Sequence, residues 1–306
     1  MNTRGTLAVI EAQAPGQLMQ LPNLHSVAVP IADPGDAVAF LARASDELGG
    51  GVLWAQPESG MAFAGAGVAE SFTFSGSDRF TAASEAIRAL RDRVVRDDNA
   101  LFPLLGGFAF DPCSLKDQAW REFPDSRLVV PSVLLQVTPH GTHLRATLRA
   151  DSSVSDAVIA GELATMLGRG LDWLSAPTTM CVPAHAHSTH TTRDQQAWEH
   201  QVAQAIAAIQ SGAMSKVVLA RAEQLHAESE LSAEATLGCL RLEHPGATLF
   251  AFAGAETWFI GATPERLVRL REGQADVTCL AGSAAVGTTP EATAALGRQL
   301  LSSAKD

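Results

Sequence analysis

Between Leu249 and Leu280 the chain carries four short apolar runs: Leu249–Ala253, Trp258–Gly261, Leu267–Arg271 and Ala275–Leu280. Short turn-forming stretches separate each run from the next. Parallel neighbours need a crossover of roughly a dozen residues, usually a helix, whereas antiparallel neighbours close with a tight turn. The spacing predicts a mostly antiparallel meander, and any fold for this chain has to accommodate it.

Helical patterns surround that meander. From Met1 to Ala150, strand-like runs alternate with amphipathic helices. Ala37 to Leu48 reads as a helix ending at Gly49-Gly50-Gly51, followed by consecutive strands at Val52-Leu53-Trp54 and Met61-Ala62-Phe63-Ala64. Phe80, Ile87, Leu90 and Val94 recur at helical spacing, with Arg88, Arg91, Arg93 and Arg96 largely on other faces and read as a solvated surface. Gly106 to Pro112 and Leu128 to Leu135 read as strands bounded by turns, and Ser155 to Leu167 as a helix.

Ala176 to Thr191, with Pro177, Pro183 and several Ser and Thr, reads as a linker between a first region (1–175) and a second (192–306). His185, His187 and His190 fall inside it; without a nearby Cys or carboxylate partner they read as loop rather than metal ligands. Thr192 and Gln195 fit a capping box, Trp198, Val202, Ile206 and Ile209 an apolar stripe, and Gly212 a stop. Another helix is expected from about Ser232 to Leu242. These elements together predict an α+β fold, large mostly antiparallel sheets flanked by helices.

Composition limits the partners. A chain of 306 residues, 46% hydrophobic, can bury a large core. Its net charge of −11 argues against nucleic acid and against an anionic membrane surface. No apolar run approaches the roughly 20 residues of a membrane span, and the N-terminus lacks a secretory apolar core, so a cytoplasmic protein is expected. Cys113, Cys181, Cys239 and Cys279 show no CxxC spacing and read as buried thiols. Gly65-Ala66-Gly67 opens like a dinucleotide fingerprint, but Glu70 stands at the third glycine position.

Three segments carry chemistry. In Lys216-Val217-Val218-Leu219-Ala220-Arg221, strand alternation puts Lys216 on the face of Val218 and Ala220, where desolvation would make a neutral amine available as a base. Glu265, after Pro264 at a strand-to-turn boundary, could stay protonated and donate to a leaving hydroxyl. In Leu280-Ala281-Gly282-Ser283, small residues allow backbone N–H groups and the Ser283 hydroxyl to approach a ligand carboxylate. Singly, each segment is ordinary: an edge lysine, a surface glutamate, a turn.

In series, K-V-V-L-A-R, G-A-T-P-E-R-L and L-A-G-S resemble the chorismate-utilising enzymes, and within them the isochorismate synthases. Phe63 to Ala69, Gly106 to Asp111 and Val130-Pro131-Ser132 extend the likeness upstream. The resemblance implies the aminodeoxychorismate synthase-like fold and chorismate bound beside Mg²⁺. Water would add at ring C2 as the C4 hydroxyl departs, with Lys216 activating the water and Glu265 protonating the leaving group. Ala281, Gly282 and Ser283 would contact substrate. Anthranilate synthases carry glutamine where Lys216 stands, and aminodeoxychorismate synthases a lysine where Ala281 stands. Water is therefore the implied nucleophile, and no obligate glutamine amidotransferase partner is expected. Salicylate synthases share the lysine and glutamate and remain an alternative, as does a non-catalytic, shortened relative that binds a ligand. Thr289-Pro290-Glu291 begins a last helix. The family's metal-binding glutamates are expected beyond Asp306, with no metal ligand inside this chain.

Overall fold

The structure, a computed structural model, describes residues 22–96, 101–111, 118–176, 186–188, 192–278 and 282–302. Its contacts divide the chain into two compact units, Met1–Ala262 and Thr263–Asp306.

The larger unit begins with β1 (Asn23–Ile31), α1 (Ala37–Leu48), β2 (Gly51–Gln56), β3 (Met61–Ala66), β4 (Glu70–Thr73), α2 (Arg79–Arg93), β5 (Val94–Val95) and β6 (Leu105–Phe108). It continues with β7 (Ser126–Val130), β8 (Val133–Thr138), β9 (Gly141–Ala150), α3 (Asp156–Ser175), β10 (Ala186–Ser188) and α4 (Thr192–Gln210). Then come β11 (Leu225–Ala227), α5 (Ala233–Glu243), β12 (Thr248–Ala253) and β13 (Trp258–Thr263), whose last residue begins the smaller unit. Eight strands form one sheet in the order β13-β12-β2-β3-β8-β9-β1-β5, and β4-β7-β6 form a second. The registers are antiparallel between β12 and β2, β2 and β3, β3 and β8, β8 and β9, and β9 and β1; the short β5 runs parallel to β1.

Helices lie along the large sheet, α5 against β12, α1 against β2 and β3, and α3 against β9 and β1. The local sequence explains α1. Asp36 caps it by accepting from the Val38 and Ala39 N–H groups, which satisfies donors that the first turn leaves unpaired. Its Phe40, Leu41 and Ala44 are buried in a core shared with Leu53, Leu135, Leu144, Trp173, Leu237 and Leu249. Four successive residues of β8, Val133 to Gln136, are buried. A strand buried on alternating sides without relief is covered on both faces. The second cover includes Leu90 of α2 and Val130 of β7, packed with Leu24.

Two expectations change here. Leu128 to Leu135 divides at Pro131-Ser132 into β7 and β8, which belong to different sheets. Pro131 has no N–H to give a ladder, and the Gly65 Cα sits so close to it that a Cβ there would meet the Pro131 ring at 2.6 Å. Arg93 is also not part of a solvated face. It forms an ion pair with the buried Glu70 and donates to the Pro22 carbonyl at 2.8 Å. Glu70 thus occupies the third glycine position of the Gly65-Ala66-Gly67 run as the acid of a buried pair.

In the smaller unit, β14 (Arg269–Arg271) and β15 (Gln274–Asp276) make a hairpin, shorter than the expected Leu267–Arg271 and Ala275–Leu280. Glu272 (φ 52°) and Gly273 (φ 78°) turn it with both central residues left-handed, as a twist-matched two-residue hairpin requires. Arg269 holds Asp276 across the strands at 2.8 Å. The final helix, α6 (Pro290–Leu301), is capped by the Thr289 hydroxyl, which accepts from the Ala292 N–H. Among the described residues, no helix is long and apolar enough to cross a membrane.

Candidate functional site

The three chemistry-bearing segments fall in both units: Lys216 in Met1–Ala262, and Glu265, Gly282 and Ser283 in Thr263–Asp306. Helix α4 ends with a turn at Ser211-Gly212, where Gly212 N–H bonds the Ile209 carbonyl, and the chain then runs into Lys216. From Lys216 to Gln224 it forms neither strand nor helix. The expected strand is absent from this stretch, which is exposed throughout. Val218 is 84% exposed, and Lys216 stands in solvent rather than among apolar neighbours. One contact does tie the segment to α4, the Arg221 guanidinium over the Trp198 ring at 5.7 Å. The stripe of α4 exists, but Ile206 and Ile209 on it are exposed.

Glu265 follows β13 in a tight local turn. The Thr263 hydroxyl accepts from the Glu265 N–H and donates to the Glu265 carbonyl, both at 3.2 Å. This Ser/Thr-type turn fixes the backbone at Pro264 while leaving the carboxylate exposed. Gly282 is half-buried and Ser283 exposed; Ala281 lies outside the described residues. Gly287, a few residues on, is held close to α6: the Thr293 hydroxyl donates to its carbonyl at 3.3 Å, and a Cβ there would meet the Thr293 backbone nitrogen at 2.5 Å. Gly287 is thereby tied to a capped helix.

Among the described residues, no group of three or more His, Cys, Asp or Glu side chains could hold a metal ion. Mg²⁺ takes oxygen donors, and the exposed Glu265 carboxylate is one such donor. His185 and His190, the side chain of His187, and Cys113, Cys181 and Cys279 lie outside the described residues, and Cys239 is a free, half-buried thiol.

A family model described as "Chorismate binding enzyme" matches residues 11–306. The chain belongs to the chorismate-binding enzymes. Among its relatives is the "Salicylate biosynthesis isochorismate synthase" of Pseudomonas aeruginosa, 32% identical over 99% of this chain and 62% of that protein. The "Isochorismate synthase MenF" of Bacillus subtilis is 27% identical over 83% of this chain and 55% of its own length. The solved structure of the menaquinone-specific isochorismate synthase MenF from Escherichia coli shares the fold, with a TM-score of 0.64 at 21% identity, across 93% of this chain and 60% of that one. The expected chorismate-utilising fold is thus present. The chain spans about three-fifths of the length of the curated relatives it matches.

Proposed function

We propose that this chorismate-binding enzyme acts as an isochorismate synthase. The observation that carries the reading is the ordered set Lys216, Glu265 and Gly282-Ser283 within a family match over residues 11–306. The relatives named as isochorismate synthases support it.

In this mechanism Lys216 is the base that takes a proton from water, whose oxygen bonds to C2 of the chorismate ring. Both ring double bonds shift along the ring, the C4–oxygen bond breaks, and Glu265 gives its proton to the departing hydroxyl. One water enters and one leaves, so the reaction is an isomerisation without oxidant or reductant. Gly282 N–H and the Ser283 hydroxyl are the donors toward a substrate carboxylate. Mg²⁺ is the proposed cofactor and would neutralise carboxylate charge when bound; its ligands are not assigned to the described residues.

The test uses the protein encoded by the full reading frame, supplied with chorismate and Mg²⁺, with products separated chromatographically. Isochorismate is the expected product; salicylate with pyruvate would instead assign a synthase that also eliminates. Lys216→Ala and Glu265→Gln should each lower kcat by roughly 10²–10⁴-fold, as loss of a general base or acid does, with chorismate affinity largely retained. Wild-type kcat in either variant would refute that residue's role.

A further inference from the structure

In the larger unit, a cleft of about 540 Å³ opens beside β6 and the β12–β13 hairpin. Its size falls within the range of roughly 300–1,000 Å³ typical of small-molecule sites. Trp120, Phe123 and Phe259 wall it as a triangle of rings, with centroids 4.9 Å apart for Trp120–Phe259 and 6.0 Å for each of the other two pairs. These contacts are tilted or edge-on, and Phe259 also meets the Phe250 ring at 5.2 Å. Phe108, Trp120 and Phe259 are 38%, 43% and 37% exposed, so their own packing does not close the cleft. Phe110, also on the lining, is fully exposed.

One cation lines this aromatic cleft among its described residues, Arg127 of β7. Its Nη1 donates to the Ala253 carbonyl at 3.3 Å. Burial alone draws its pKa below the ordinary arginine value, with no carboxylate pulling it back up. A guanidinium remains charged under these conditions, and its planar fork matches a carboxylate. Asp111 also lines the cleft but is already engaged in an interaction of its own. None of Lys216, Glu265, Gly282 or Ser283 lies on the lining.

We propose that this cleft binds a small planar aromatic carboxylate, its ring against Trp120, Phe123 and Phe259 and its carboxylate on Arg127. The ring supplies apolar area against side chains that stay partly exposed, and the carboxylate supplies a counter-charge to Arg127. A neutral ring would gain only the first contribution, so the cleft discriminates by charge. The inference does not depend on the isochorismate synthase reading.

The test is calorimetric titration of the whole chain with 2-naphthoate and, as its neutral counterpart, 2-naphthalenemethanol. Wild type should bind naphthoate at one site and the alcohol about tenfold or more weakly, the scale of a charge-assisted bidentate contact. Arg127→Gln should remove that preference while leaving alcohol affinity unchanged. Because Arg127 also holds the Ala253 carbonyl, Phe110→Ser provides a second variant that leaves that bond intact. It should weaken both probes about equally, by a few-fold. No saturable naphthoate binding, equal affinity for acid and alcohol, or naphthoate affinity unchanged in both variants would overturn the proposal.

Discussion

Asp36 joins two functions that a pair of substitutions can separate. Its carboxylate caps α1 through the N–H groups of Val38 and Ala39, at 2.9 and 3.4 Å, and receives Arg241 of α5 at 2.9 and 3.0 Å. The cap is worth about 1 kcal/mol, within a range of roughly 0.5–2. The ion pair adds about 0.5–1 kcal/mol, kept low because the Arg241 side chain is 39% exposed and partly screened. Asp36→Ala removes both and should cost about 1.5–2 kcal/mol at neutral pH, the sum of the two. Asp36→Ser keeps a capping oxygen and should lose only the pair. Urea unfolding followed by circular dichroism measures each difference, and a cycle with Arg241→Met isolates the coupling. Burial opposes ionisation of Asp36, but the Arg241 hydrogen bond and charge, with the two helix N–H groups, hold its pKa below the ordinary aspartate value. A depressed folded pKa gives stability that is present above the unfolded pKa of about 3.9 and is lost as pH falls through the folded value. The advantage of wild type over Asp36→Ser should therefore shrink as pH drops below about 4. Equal losses for Ser and Ala, or zero coupling with Arg241, would refute the division.

Trp173 packs edge-on to Phe40 at 6.0 Å and donates from Nε1 to Glu47 at 2.6 Å; Trp173→Ala should cost about 3–5 kcal/mol and Trp173→Phe much less, as read by the same unfolding assay. Gly106→Ala should destabilise by about 1–3 kcal/mol, because its Cβ would stand 2.0 Å from the Arg127 carbonyl, whereas Gly107→Ala, with open space, should leave the urea midpoint nearly unchanged. Arg145 is buried, donates to the Ser26 hydroxyl at 2.8 Å and the Leu101 carbonyl at 3.2 Å, and lies 5.3 Å from the Phe102 ring centroid. Arg145→Met should cost about 1–3 kcal/mol by removing both hydrogen bonds from a buried site, measurable as a lowered Tm.

Much of the fold was legible because its signals are local. Helix α1 begins and ends where Asp36 and Gly49 place it, α5 starts at the Ser232 cap and α6 at Thr289 with Pro290 behind it. A cap and an apolar stripe both lie within one helix, so a short window contains all the information. Strands β12 and β13 were legible for a similar reason, their turn lying between adjacent runs. Lys216 to Arg221 misled because alternation describes a strand's faces and not its neighbour, and strand structure depends on a hydrogen-bonded partner.

The candidate site divides in the same way. The identities and order of Lys216, Glu265, Ala281, Gly282 and Ser283 are properties of the sequence, and the segments that hold them carry the family likeness. Where Lys216 stands in solvent, and that Glu265 is held by Thr263, are properties of the folded chain. The aromatic cleft around Arg127 draws on residues from Gly107 to Phe259, and the buried Glu70–Arg93 and Arg145–Ser26 contacts join residues 23 and 119 apart. Sequence determines caps, stripes and chemical repertoire because these act over one or two turns of chain. Only tertiary structure decides which charges are buried together and which apolar faces stay open, because those depend on partners that arrive from distant positions.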